Sequence, residues 1–161
     1  DVKLLNNTIG PLTQNITVSF DFSPSAQKGN PTLFLNDGAN NTGIQLVLYD
    51  QATMKMRYYS GAMNDVSSYA LQVGTWYRAE ISIADLSSST DVFDLRVWES
   101  DGAGGSTLVI NETGISFRSD IAQITTFNLG GNIGSTAKGL SMLLDDVRVG
   151  PRKTISLVVL Q

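Results

Sequence analysis

The sequence contains no cysteine and no histidine. The first absence removes any disulfide scaffold and any thiol chemistry, although it leaves the redox compartment open. The second removes every mechanism that needs an imidazole base or a histidine metal ligand. No apolar run approaches the roughly 18 residues that a membrane-spanning helix requires, so no membrane partner is expected. The opening Asp-Val-Lys-Leu-Leu-Asn-Asn has neither the basic start nor the apolar middle of a signal peptide, and any export signal is expected to have been removed. Charge is sparse and of the wrong sign for nucleic acid. Eleven Lys and Arg stand against 15 Asp and Glu, giving a net charge of −4, whereas phosphate binding usually shows as a basic domain.

What remains is enough for one domain. At 161 residues, 42% of them hydrophobic and 16% charged, the chain can bury a sound core without staples. Its apolar residues recur with a period of two rather than 3.6, in short runs divided by turn residues. Such runs fall near 2–5, 16–22, 32–36, 44–49, 54–59, 67–71, 76–83, 93–99, 107–111, 125–129 and 141–149. A β-prone tail follows at 154–160, beyond a candidate linker at 150–153. Ten to twelve short strands without helices mean a two-sheet sandwich or a barrel.

The stretch from Gly74 to Glu99 carries the strongest pattern. Tyr77, Ala79, Ile81 and Ile83 fall on one face, with Trp76, Arg78, Glu80 and Ser82 on the other. In the second run Phe93, Leu95 and Val97 are apolar and Asp94, Arg96 and Trp98 lie opposite, which predicts an antiparallel pair with one buried face. A plain solvent face carries Ser, Thr and Lys; arginine beside tryptophan singles this one out. The same period turns Gln45 and Tyr49 outward in one neighbouring run, and Arg57 and Tyr59 in the next. If the four strands share a sheet, one surface collects Gln45, Tyr49, Arg57, Tyr59, Arg78, Arg96 and Trp98. Aromatic rings stack on the C–H faces of sugars, arginine offers paired donors to carboxylate or sulfate, and glutamine reads hydroxyls. The competing reading is a cross-strand ion network among Arg78, Glu80 and Arg96, with Trp98 covering an apolar patch.

The succession Val-Ser-Phe-Asp-Phe-Ser-Pro at 18–24, Gly-Thr-Trp-Tyr at 74–77, Phe-Asp-Leu-Arg-Val-Trp at 93–98, Phe-Asn-Leu-Gly-Gly at 127–131 and Leu-Asp-Asp-Val-Arg-Val at 144–149 resembles the concanavalin A-like jelly roll. Among its members the laminin-G-like domains are the nearest in pattern. The resemblance implies an all-β, two-sheet antiparallel sandwich, with any ligand on the concave sheet or at its rim. It also implies a structural Ca²⁺ held by an aspartate of the last strand, which makes Asp145 and Asp146 the candidate metal ligands. The strand pattern places Asp145 on the face of Leu143, Val147 and Val149, among apolar neighbours where an unpaired carboxylate is costly. A buried aspartate capping loop amides is the other reading of it. Trp76 holds the family's Gly-x-Trp position, where tryptophan is structural.

The fold carries lectins, adhesion domains, glucanases and lyases alike. The glucanases use a Glu-x-Asp-x-x-Glu cluster, because retaining hydrolysis needs two carboxyls about 5 Å apart. The alginate-lyase branch relies on a Gln-x-His strand. Neither motif is present. The expectation is therefore a non-catalytic carbohydrate-binding module over residues 1–150, with residues 151–161 an edge strand or linker. It would be secreted and joined covalently to a catalytic domain in a larger protein, holding that enzyme on a polysaccharide, an acidic one containing uronate or sulfate being favoured by the three arginines. The alternatives are a laminin-G-like adhesion or structural domain with a protein partner and, third, a lyase or hydrolase of the same fold.

Overall fold

The computed structural model describes residues 5–25, 29–39, 41–86, 91–131, 142–150, 153–155 and 158–160. Among these residues the chain forms strands and no helix. The first six strands are β1 (Leu5–Leu12), β2 (Gln14–Pro24), β3 (Pro31–Asn36), β4 (Thr42–Val47), β5 (Arg57–Ser60) and β6 (Ala62–Asp65). They are followed by β7 (Tyr77–Asp85), β8 (Val92–Ser100), β9 (Ser106–Ser116), β10 (Ile124–Gly131), β11 (Met142–Val149), β12 (Lys153–Ile155) and β13 (Val158–Leu160). A six-stranded sheet runs β1-β10-β3-β4-β5-β6, and a seven-stranded one runs β12-β11-β2-β7-β8-β9 with β13 also beside β11. The protein is thus an all-β, two-sheet antiparallel sandwich, as the alternating pattern predicts.

Each sheet turns one apolar face to the other. In the six-stranded sheet Leu33 pairs with Leu46 and Leu129, and Leu35 with Ile44 and Phe127, all at most 1% exposed. In the seven-stranded sheet Val18, Phe20, Ala79, Ile81, Leu95 and Val97 are fully buried. Phe22 bridges Phe20 and Tyr77, with ring centroids 5.9 and 5.7 Å apart. Burying aromatic and β-branched side chains between two pleated surfaces supplies the driving force that replaces disulfides here.

Three local departures from the expected pattern have identifiable causes. Gly10-Pro11, a dipeptide whose composition marks a turn, is instead an irregularity within β1, where Gly10 takes φ 83° and the register shifts between Thr8 and Leu12. The expected strand at 67–71 is not one. The chain turns earlier, at Gly61 (φ 70°), pairing β5 with β6, and Val66 and Leu71 then enter the core from a loop. Finally, β11 carries a bulge. Asp145 faces Asp21 and Arg148 faces Ser19, so three steps on β11 match two on β2, and Asp146 takes φ 49°. The extra residue reverses the alternation: Met142 and Leu144 point inward before it, Val147 and Val149 after it. Residues 2–4 of the expected first strand, and Pro151 and Arg152 of the expected linker, lie outside the described residues.

Candidate functional site

The seven candidate binding residues do not share a surface. Gln45 of β4 and Arg57 and Tyr59 of β5 belong to the six-stranded sheet, whereas Arg78 of β7 and Arg96 and Trp98 of β8 belong to the seven-stranded one. Arg78, Arg96 and Trp98 alternate with buried core residues and point away from the other sheet, whereas in the six-stranded sheet Gln45 lies between Ile44 and Leu46 and is itself 9% exposed, and Arg57 and Tyr59 are half-buried. Tyr49 lies on neither face. It is fully buried two residues beyond β4, with its hydroxyl accepting the Ser25 N–H at 3.4 Å. The single open groove required by the seven-residue set is therefore corrected to two separate surfaces and one core tyrosine.

Arg78, Arg96 and Trp98 do stay together, and beside them lies a cleft of about 620 Å³ lined by Asp21, Trp76, Arg78, Glu80, Trp98, Ser100, Ser106 and Asp145 among others. Its floor is built by strand register. Arg78 faces Trp98 and Glu80 faces Arg96 across β7 and β8. The Ser100 N–H donates to the Trp76 carbonyl at 2.9 Å, which extends that ladder past the start of β7 and sets Trp76 beside the two serines. On the far side Trp98 faces Leu108 and Ser100 faces Ser106 across β8 and β9. Trp76 is 39% exposed and Leu108 45%, so two indoles and a leucine form an apolar strip along a polar cleft.

The wall beyond Ser100 is the turn Asp101 to Gly105, which composition alone marks only as a flexible link. Asp101 Oδ1 accepts the N–H groups of Ala103 at 2.8 Å and Gly105 at 2.9 Å. Gly102 and Gly104 take φ 74° and 94°, conformations glycine adopts without strain. Gly104 and Gly105 thus become part of the cleft. The only signal for this in the sequence is an aspartate opening a Gly-rich turn. Beneath the cleft, Tyr69 donates a short hydrogen bond to the Glu99 carboxylate and Tyr77 Oη accepts the Gln72 N–H at 2.8 Å. These bonds tie the segment leading to Trp76 onto the ends of β7 and β8. Burial, followed by the bond to Glu99, pushes the Tyr69 hydroxyl far above its ordinary range; burial also raises Tyr77.

Both arginines beside the cleft are paired with carboxylates. Arg78 donates to both oxygens of Asp21, at 2.8 and 3.0 Å, and to Asp146 at 2.8 Å. The bond to Asp21 is the main reason its guanidinium is held even more firmly protonated. Asp146 also accepts from Arg148 at 2.8 Å. Arg96 stands 3.7 Å from Glu80 and donates to Asn111 at 3.4 Å. Of the network considered among Arg78, Glu80 and Arg96, the Arg96–Glu80 pair is present, whereas Arg78 pairs with Asp21 and Asp146 instead, and the tryptophans lie alongside.

The two candidate metal ligands are placed differently from expectation. Asp145, next to the inward Leu144, points to solvent directly opposite Asp21, with Oδ1 accepting the Asp146 N–H at 2.7 Å; the extra residue after it breaks the face it was expected to share with Val147 and Val149, so its expected apolar surroundings are corrected. Both oxygens of Asp146 already accept guanidinium donors. Calcium needs six to eight oxygen ligands, and among the described residues no three acidic side chains are grouped to hold a metal ion. A guanidinium occupies the place between Asp21 and Asp146 that a cation would need, so these residues do not fit Ca²⁺.

On the opposite sheet the outward groups satisfy one another. Arg118, which the strand pattern passes over because it lies in a loop, makes a short hydrogen bond to Gln45 Oε1 and lies 4.9 Å from the Tyr59 ring centre. Arg57 is held 3.1 Å from Asp50 and 3.3 Å from Asp65.

No protein-family model matches the chain, and no curated protein matches its sequence. Solved structures do share its fold. The chain is similar to a sialidase, with a TM-score of 0.59 and 15% identity, over 97% of its own length and 14% of the sialidase chain. It is similar to congerin II liganded with lactose and MES, with a TM-score of 0.52 and 9% identity, over 92% and 100% of the two chains. CG-16, a homodimeric agglutinin from chicken liver, gives a TM-score of 0.51 and 10% identity over the same shares. At such identities the likeness is one of fold.

Proposed function

We propose that the domain is a carbohydrate-binding module without catalytic activity of its own. The observation that carries this reading is the cleft of the seven-stranded sheet, where Trp76 and Trp98 border a row of serine, arginine and carboxylate groups. An aromatic strip packs against the apolar faces of pyranose rings while the polar row meets their hydroxyls, a division of labour usual in ligand sites. Two of the structures of like fold support it, one holding lactose and one an agglutinin. Of the carboxylates that line the cleft, Asp21 is engaged by Arg78 and Glu80 stands 3.7 Å from Arg96, and no imidazole exists to serve as a base. These two facts favour binding over turnover.

A module of this size fits a role as one part of a longer secreted enzyme, raising the local concentration of that enzyme on its polymer. The chain's match to only 14% of the sialidase is in keeping with such an arrangement. Affinity electrophoresis against a panel of soluble polysaccharides tests the reading. Retardation by at least one polymer, lost in Trp76→Ala and Trp98→Ala, is expected. Absence of retardation by every polymer refutes it and favours an adhesion domain with a protein partner, while release of reducing ends or unsaturated uronates would reveal an enzyme.

A further inference from the structure

Three arginines on one face would favour an acidic glycan, but the folded cleft presents the opposite electrostatics. Arg57 belongs to the other sheet. Arg78 gives donors to Asp21 and Asp146, and Arg96 faces Glu80. Asp145, exposed on the cleft wall, lies directly across from Asp21 in the β11–β2 ladder. Of the charged side chains that line the cleft, Asp21, Glu80 and Asp145 are acidic and only Arg78 is basic. Like charges placed directly opposite in a sheet work against its stability. A sequence keeps such a local conflict most often where function requires it.

We infer that this cleft, on the glycan reading above, selects its ligand by charge: it takes uncharged sugars through ring stacking and hydroxyl hydrogen bonds and rejects those bearing carboxylate or sulfate. An uncharged sugar leaves every ion pair in place and finds acceptors on Asp145 and Glu80 and donors on Ser100 and Ser106. An anionic sugar must either break the Arg78 bridges or lie against three carboxylates, and like-charge juxtaposition in a partly desolvated site is strongly unfavourable. Asp145 faces outward beside Asp21 by strand register, because Leu144 before it points inward and pairs with Phe22.

The test uses matched polymers of the same backbone linkage, neutral and acidic: dextran with dextran sulfate, and a β-1,4-glucan with its C6-oxidised glucuronan, in affinity electrophoresis at physiological ionic strength. Retention by a neutral member, with its acidic counterpart bound about tenfold or more weakly, is expected. Tighter binding to the acidic members overturns charge selection while leaving the glycan reading intact. Retention by no member removes the glycan reading and this inference together. In Glu80→Gln combined with Asp145→Asn, checked for an unaltered melting profile, Arg96 is released and two carboxylates are removed. Retention by the acidic polymers is then expected to rise, and unchanged rejection would overturn the assignment of these carboxylates as the barrier.

Discussion

Replacing Trp98 by alanine separates a binding surface from a structural one. Trp98 is half-buried and faces Arg78 on β7 and Leu108 on β9. Its removal leaves the backbone ladder intact and deletes two cross-strand pairs, each contributing about 0.2–1 kcal/mol. A stability loss of about 1 kcal/mol corresponds to a fall of roughly 2–4 °C in melting midpoint for a domain of this size. Binding should suffer more, because truncating a central aromatic anchor costs about 2 kcal/mol or more, which is roughly thirtyfold in affinity. The scale is set by a core control: Phe20, fully buried between the sheets, should cost about 3–5 kcal/mol as Phe20→Ala. Thermal melts by circular dichroism, run beside affinity electrophoresis on the same preparations, measure both quantities. If Trp98→Ala loses as much stability as Phe20→Ala, the indole is a structural cover. If binding is unchanged while the melt shifts only slightly, the cleft is not the site.

Three other perturbations probe the network around the cleft. Arg78→Met removes the cation shared by Asp21 and Asp146; because its side chain is 49% exposed, the loss should be only about 1 kcal/mol near neutrality. Urea unfolding at neutral pH measures this loss, and a loss several times larger would contradict the exposed placement of the guanidinium. Tyr69 and Tyr77 hold their protons in the folded state more tightly than unfolded phenols, which titrate near pH 10. Stability should therefore be full below about pH 10 and decline above it. Tyr69→Phe should flatten that decline, and an unaltered alkaline slope would show that Tyr69 titrates normally. Since Arg78 and Arg148 take both oxygens of Asp146, neither CaCl₂ nor a chelator should move the melting midpoint; a rise with CaCl₂ would reveal a site that these residues do not explain.

Much of the architecture is legible along the chain. The alternation in residues 76–83 and 93–99 sets Tyr77, Ala79, Ile81, Phe93, Leu95 and Val97 inward and Arg78, Arg96 and Trp98 outward, and the folded β7–β8 pair has that arrangement. Turn residues mark the breaks less well. A proline at position 11 does not stop β1, and the single pair Ser60-Gly61 reverses the chain between β5 and β6. The cleft wall at Asp101 to Gly105 is read as slack because glycine-rich composition says nothing about which backbone amides an aspartate will capture.

The sequence alone determined which side chains of each strand point the same way, because a strand's period is local and covalent. It could not determine which strands share a sheet. The segment between β6 and β7 carries the chain from one layer to the other, and that choice is made by contacts among residues far apart in sequence. Outward groups of β4 and β5 thereby end on the face opposite those of β7 and β8. Nor could it place the extra residue at Asp146, whose left-handed backbone reverses the alternation of β11, so that Asp145 lies outward although Val147 and Val149 lie inward. A single unpaired residue in a ladder exchanges inside for outside, and only the partner strand reveals where it lies.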